Sequence, residues 1–289
     1  MRRALELRRP IVAVLLVASF LSGCGGPAAV GPSPAAPAPV APTLPPISGA
    51  ELAKKVRANL DVPYESLTYR MELIDSRGAG EQRKAAFHRA SNLDGKDCAY
   101  TCFLEPQDIQ GFGLLTLRAG DAEPEQFLYV PASRKVSRIL YFSTNRRSSF
   151  CGTQYTFEDL EPLRLADFEF SVTGTARTDG RDCYLLQSLP RTRFSGYSKV
   201  LSHVDEKTSL VLRSVFYDPR GELLKIGASH ELFEAMPGHW RARKLEMANR
   251  QTDRVTRLEL VDYRCTAGSP TTADRQVFTL ATLSGGREK

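Results

Sequence analysis

The 289-residue chain is poor in the groups that catalysis and metal binding require. Its four histidines, His88, His203, His230 and His239, do not stand at metal-ligand spacing. No Gly-x-Ser-x-Gly elbow and no glycine-rich phosphate cradle occurs, which argues against a serine hydrolase and against a nucleotide-binding loop. No block of like charge stands out, so nucleic acid is not an expected partner. There is also no long apolar run. IVAVLLVASF (11–20) is about ten residues long, where a bilayer span needs roughly 20.

That short run has a different use. It follows MRRALELRRP, which carries four arginines and one glutamate, so the start of the chain has the n-region and h-region of an export signal. It ends in Leu21-Ser22-Gly23-Cys24, which resembles the lipobox of bacterial lipoproteins. The resemblance implies cleavage after residue 23, acylation of Cys24 and hence a palmitate-type membrane anchor. Several acyl chains hold a protein stably, since each buried CH2 contributes about 0.8 kcal/mol. Gly25 stands where an inner-membrane retention aspartate would be, which favours the outer membrane of a Gram-negative cell, on its periplasmic face.

Residues 25–46 hold eight prolines and no charge, a composition that predicts an extended semi-rigid spacer without a core. The expected organisation is a signal peptide at 1–23, a lipidated cysteine with its linker at 24–47, and one domain at 48–289. Removing the signal leaves 35 basic and 32 acidic residues, so the formal charge falls from +6 to +3. The basic pI is therefore partly a property of the signal.

The domain opens on Ser48-Gly-Ala-Glu51, a capping-box pattern, with Leu52, Val56 and Leu60 forming one helical stripe. The period then changes to alternation: LTYRMELI, AAFHRA, CAYTCFL, FGLLTL, QFLYVP and KVSRIL, then FEFSVTG, CYLLQSL, YSKVLSHV, SLVLRSVFY, LLKIGASHELF, WRARKLEM and VTRLELVDY. Asp218-Pro-Arg-Gly221 reads as a hairpin turn. Short connections favour a mainly β antiparallel meander curled into an open or closed barrel. FLYV (127–130) and SLVL (209–212) are apolar on both faces, so both sides of the sheet need cover, by a packed core or by a greasy cavity.

Three local features invite chemistry. Glu158 and Asp159 are adjacent carboxylates, but Thr156 with Asp159 three later reads as a helix-start device. Arg138, Arg146 and Arg147 could meet a phosphate headgroup and are read as a solvated loop. Five cysteines remain beyond the anchor, Cys98, Cys102, Cys151, Cys183 and Cys265, enough for at most two bridges. Cys98 and Cys102 on one strand would lie about 13 Å apart, beyond the roughly 7 Å between Cα atoms that a bridge spans. Cys265 is open as a partner, while Cys183 reads as a small buried residue.

Pro106–Gly111, then LYVPASRKVSRI, FCGTQYTFEDLE, CYLLQSLP, YSKVLSHVDEKT, VFYDPRGELLKI and finally VFTLATL resemble, in order, the LolA-like outer-membrane lipoprotein-sorting proteins. The resemblance implies a strongly curved, unclosed half-barrel with helices over its concave mouth and an apolar interior for acyl chains. It implies no enzyme and no cofactor. Some relatives serve exporters of the RND or MMPL type, so such an exporter is an expected partner besides lipid or acylated lipoprotein. Typical members carry Met where Cys151 stands, and many are untethered. A tethered chain fits an acceptor or an exporter accessory better than a diffusing carrier.

The leading expectation is a lipid-anchored, non-catalytic binding protein. Candidate cavity residues are Phe127, Tyr129, Tyr141, Phe150, Tyr155, Tyr217 and Trp240, each of which also fits as ordinary core. The competing readings are an envelope interaction module with a filled interior, and an enzyme with Cys151 as nucleophile, which would need a histidine in hydrogen-bond reach.

Overall fold

The computed structural model describes residues 41–285. Helix α1 (Gly49–Leu60) starts as its sequence dictates. Ser48 Oγ accepts the Glu51 amide at 3.2 Å while the Glu51 carboxylate accepts the Ser48 amide at 3.0 Å. Such a cap contributes about 1 kcal/mol. The apolar stripe Leu52, Ala53 and Val56 is buried.

Thirteen strands follow: β1 (Tyr64–Ile74), β2 (Gly80–Leu93), β3 (Lys96–Glu105), β4 (Gly113–Ala119), β5 (Glu125–Val130), β6 (Lys135–Ile139), β7 (Phe168–Thr178), β8 (Arg181–Pro190), β9 (Lys199–Asp205), β10 (Val211–Tyr217), β11 (Leu223–Met236), β12 (His239–Asn249) and β13 (Arg254–Thr266). Every neighbouring pair is antiparallel, and each of the thirteen alternating segments lies within or across the expected strand. The turn at 218–221 closes on Gly221, at φ +84°, with the Asp218 carboxylate accepting the amides of Arg220 and Glu222 at 2.9 and 3.0 Å.

The strands form one sheet that does not close into a barrel. Its order runs β6-β5-β4-β3-β2-β1-β13-β12-β11-β10-β9-β8-β7. The meander thus starts in the middle at β1, runs out to β6, and resumes at the opposite edge with β7 before returning to β1 through β13. Residues 140–167 join the two free edges. They form a strap containing short 3-10 turns at Thr144–Arg147, Glu158–Leu160 and Leu165–Asp167. Lys135 and Arg138 are exposed on the edge strand β6, a placement that discourages pairing with another chain.

Both faces of β4 and β5 are covered, by different layers. Leu114 and Leu128 are cross-strand partners on one face, where they pack with Phe103, Phe150 and Phe157. Leu115 and Phe127 pair on the opposite face, with Tyr100, Tyr129, Phe278 and Leu283. Phe278 and Leu283 come from the C-terminal helices α2 (Thr272–Gln276) and α3 (Leu280–Leu283) and the link between them. The two-sided apolar pattern of FLYV is explained by two covers.

The end of the proline-rich stretch is docked on the sheet. Thr175 Oγ1 donates to the Pro42 carbonyl at 2.5 Å, Tyr184 Oη to the Pro45 carbonyl at 2.9 Å, and Leu44 and Ile47 join the cluster under α1. Cys24 and the signal segment lie outside the described residues.

Candidate functional site

Between α1, the concave face of the sheet and the strap lies a cavity of about 530 Å3. Small-ligand sites commonly fall at about 300–1,000 Å3. The alternation of β1 aims Leu67, Tyr69 and Met71 into it. Register then aligns neighbours: Met71 sits opposite Leu258 on β13, and Leu258 opposite Leu245 on β12, so three strands present one apolar rung. Ala53, Val56 and Leu60 of α1 form one side, and Phe150, Tyr155, Leu160 and Leu163 of the strap form another. Phe168, Phe170, Leu186, Val200 and Phe216 continue the lining toward β7–β10. Burial pushes the Tyr69 hydroxyl up to about 12 and raises that of Tyr155 as well, so both stay neutral.

A buried ionic latch holds the strap in place. Arg146 Nε and Nη2 donate to the two Glu161 oxygens at 2.7 and 2.8 Å, and Arg146 Nη1 lies 2.9 Å from Glu158 Oε1. Burial opposes the Arg146 charge, but the Glu161 hydrogen bonds and the Glu161 and Glu158 charges outweigh it and raise its pKa above the ordinary arginine value. Glu158 in turn accepts from Ser195 Oγ at 2.6 Å and the Gly196 amide at 2.7 Å. Asp159 accepts from Tyr197 Oη at 2.7 Å and pairs with Lys225, which is only 2 % exposed. Gln126 Nε2 reaches from β5 to the Phe157 carbonyl at 3.0 Å.

Two expectations about this segment meet different fates. Thr156 and Asp159 do form the reciprocal helix-start pair, amide to carboxylate at 2.7 Å and amide to hydroxyl at 3.3 Å. Arg146 corrects the solvated-loop reading: it is 3 % exposed because two carboxylates and the Tyr141 ring, 4.6 Å from the guanidinium carbon, enclose it. Arg147 spans to the backbone carbonyls of Arg193 and Phe194. Arg138 pairs with Glu125 on the exposed edge at 2.9 Å.

Of the seven candidate cavity residues, Phe150 and Tyr155 line the cavity. Phe127 and Tyr129 point to the opposite face, beneath Phe278. Tyr141 is the stacking partner of Arg146 and is not part of the lining. Tyr217 also turns away, under Lys199 Nζ at 4.2 Å, while its neighbour Phe216 faces in. Trp240 lies beside the end of α1, where its amide donates to Asn59 Oδ1 at 2.6 Å. The choice of aromatics missed Leu67, Tyr69 and Met71, although the alternation of LTYRMELI put them on one face.

The five described cysteines are free thiols. Cys98 is buried and its thiol is pushed up to about 11 by burial. Cys183 is fully buried, as its setting in CYLLQSL implied. Cys265 Sγ lies 3.6 Å from Met236 Sδ. Burial raises the Cys151 thiol despite nearby Arg83, which works against a thiolate nucleophile there. Among the described residues, no group of three or more His, Cys, Asp or Glu side chains is arranged to hold a metal ion.

Known proteins share this architecture. A domain assigned as an outer membrane lipoprotein-sorting protein of Vibrio parahaemolyticus is 26 % identical, with a TM-score of 0.73 over 82 % of this chain and 98 % of that one. A DUF1329 family protein of Desulfovibrio piger is 22 % identical, with a TM-score of 0.73 over 81 % and 97 %. A LolA superfamily protein of Nitrosomonas europaea, 17 % identical, reaches a TM-score of 0.60 over 82 % and 100 %. No curated protein matches the sequence significantly. A family model described as that of an uncharacterized protein matches residues 95–284. The chain belongs to the family of that model, and its fold is that of the LolA-like outer-membrane lipoprotein-sorting domains.

Proposed function

We propose that this protein is a non-catalytic envelope protein that receives a lipid, or the acyl chains of a lipoprotein, in the cavity between α1, the sheet and the strap. The observation that carries this reading is the cavity itself, about 530 Å3 of space walled mainly by apolar side chains from every layer of the fold. A filled interior would have favoured an interaction module. Binding would rest on burial, about 25 cal/mol for each Å2 of apolar surface removed from water, with Phe150, Tyr155, Leu67, Met71 and Leu258 as contacts.

A lipidated Cys24, as the lipobox-like Leu21-Ser22-Gly23-Cys24 implies, would hold this activity at the periplasmic face of the outer membrane. A tethered receiver passes cargo on locally, either as the acceptor in lipoprotein sorting or as an accessory of an RND- or MMPL-type lipid exporter. The assignment of the Vibrio parahaemolyticus domain to outer-membrane lipoprotein sorting supports an envelope role.

Native mass spectrometry with lipid extraction tests the reading on the full chain purified from a Gram-negative envelope. A stoichiometric co-purifying lipid or acyl peptide is the expected result. A protein that stays empty after incubation with membrane extract would sink the reading and turn attention to a protein partner.

A further inference from the structure

The two most exposed large apolar side chains among the described residues stand two positions apart at the start of the strap: Leu140 is 59 % and Phe142 55 % exposed. The Ser143 amide donates to the Leu140 carbonyl at 3.1 Å, closing a turn with Tyr141 and Phe142 at its corners. Tyr141 covers the Arg146 guanidinium, while the Phe142 ring packs edge-on against Phe194 of the β8–β9 loop, with ring centroids 5.3 Å apart. Arg147 donates to the carbonyls of Arg193 and Phe194 at 2.8 and 3.2 Å and so ties that loop to the strap. The apolar corner is thus presented from a pinned base. Single exposed leucines and phenylalanines are ordinary, but a group gathered on one held turn marks a docking surface.

Charge selects the partner. The segments that build this surface, 134–148 and 191–194, contain seven basic residues and no acidic one. Glu158 and Glu161 neutralise Arg146, and Glu125 pairs with Arg138. Arg147 and Arg191 donate to backbone carbonyls, and Arg193 lies over the Phe194 ring at 5.0 Å, so these three have no carboxylate partner among the described residues. Arg134 and Lys135 follow, exposed, at the far end of β6. The opposing charges are Asp121 and Glu123 in the turn before β5, two against five.

We propose that the turn Leu140–Ser143, with Arg147, Arg191 and Arg193, docks on a leaflet containing anionic phospholipid. Leu140 and Phe142 enter below the headgroups, and the guanidiniums meet phosphates. The tether argues for the same occupant. Seventeen residues, 24–40, separate Cys24 from the rest of the described chain. At about 3.1 Å each they reach at most about 50 Å, so with Cys24 acylated, as proposed above, a leaflet stays within reach of the domain. The surface lies outside the cavity yet shares the strap, whose Phe150 and Tyr155 line it, so docking turns one cavity wall toward the membrane. It orients a tethered domain and does not replace the anchor. The inference goes beyond the lipid-receiving reading and does not need the cavity to be occupied.

Vesicle flotation tests this on the mature chain carrying Cys24→Ser, exported behind an ordinary cleavable signal so that neither acyl group nor signal remains. The vesicles are phosphatidylcholine with or without phosphatidylglycerol. The chain should float with the anionic vesicles only, and high salt should release it. Half-saturation is expected above about 0.1 mM lipid, the figure for a single myristoyl chain. Leu140→Ser with Phe142→Ser should weaken binding by about tenfold or more. Arg191→Glu with Arg193→Glu should weaken it by a similar factor. All four side chains are exposed, so the urea midpoints should match the parent. No flotation with anionic vesicles, equal flotation with neutral ones, or flotation that Leu140→Ser with Phe142→Ser leaves unchanged overturns the proposal. A dimer that the same pair of substitutions dissociates, without vesicle binding, would assign the surface to a second copy of this chain. Lipid extraction of the same samples reports on the cavity separately, so a chain that carries lipid but does not float sinks the docking surface and leaves the lipid-receiving reading standing.

Discussion

Arg146 and Glu161 face each other across the strap in a two-pronged pair, at 2.7 and 2.8 Å, with both side chains almost wholly removed from water. The pair fixes a chain segment that belongs to no strand and yet bounds the cavity. Desolvating two charges offsets most of their attraction, so the pair specifies where the strap lies more than it stabilises the fold.

The first prediction follows from that balance. Arg146→Met leaves Glu158 buried without its cation and Glu161 with only Arg118, at 3.5 Å, and should destabilise by about 3–5 kcal/mol. Adding Glu158→Gln and Glu161→Gln to it should recover much of the loss, because the stranded charges go. Urea unfolding midpoints of the single and triple variants check this. A single variant as stable as wild type would mean that the strap is held by its apolar contacts alone.

The second prediction separates the two faces of the sheet. Leu258→Ser and Met71→Ser change the cavity wall, whereas Phe127→Ser and Trp240→Ser change packing elsewhere. All four should lose stability, by about 2–5 kcal/mol for the large buried ones. Only the first two should lower the lipid recovered per folded molecule, read by lipid extraction of the folded peak. Equal lipid loss from Phe127→Ser would place binding on the other face.

That contrast shows how far the sequence could be read. Alternation located the thirteen strands, and the Ser48–Glu51 capping box located α1, because both signals are local. The inward face of β5 was not legible. Gln126 and Leu128 face the cavity side while Phe127 and Tyr129 face the C-terminal helices, and an apolar run gives no phase. Picking aromatics favoured the wrong neighbour again at Phe216 and Tyr217. The latch was invisible for another reason. Arg146 reads as a loop cation until β5, β11 and the strap converge, bringing together residues as distant as Asp159 and Lys225.

The third prediction concerns the anchor. Cys24→Ser should abolish incorporation of labelled palmitate and move the protein from the membrane fraction to the soluble periplasm. The factor is large, since each acyl CH2 lost from the bilayer forfeits about 0.8 kcal/mol. Cavity loading in the released protein should persist, because the walls lie in the folded domain. A variant that stays membrane-bound would show that another surface holds it there.

The last prediction is a pH dependence. His88 packs between Tyr64 and Tyr100, its Nδ1 2.9 Å from Tyr64 Oη and its ring stacked on Tyr100. Burial, helped by the nearby Arg264 charge, lowers its pKa from 6.5 to about 4, against the opposing pull of Asp274. The folded state therefore holds His88 neutral through a window in which the unfolded chain already binds the proton. Stability should be full above about pH 6.5, fall as pH is lowered toward about 4, and change no further from this group below that. The whole shift corresponds to about 3 kcal/mol as an upper figure. Urea unfolding at pH 7.5 and pH 5 should show the loss, and His88→Gln, which cannot titrate, should remove this part of it. An identical pH slope in the variant would assign the acid sensitivity to other groups, with the buried carboxylate Glu65, held by Arg89 and Arg241, as the next to replace.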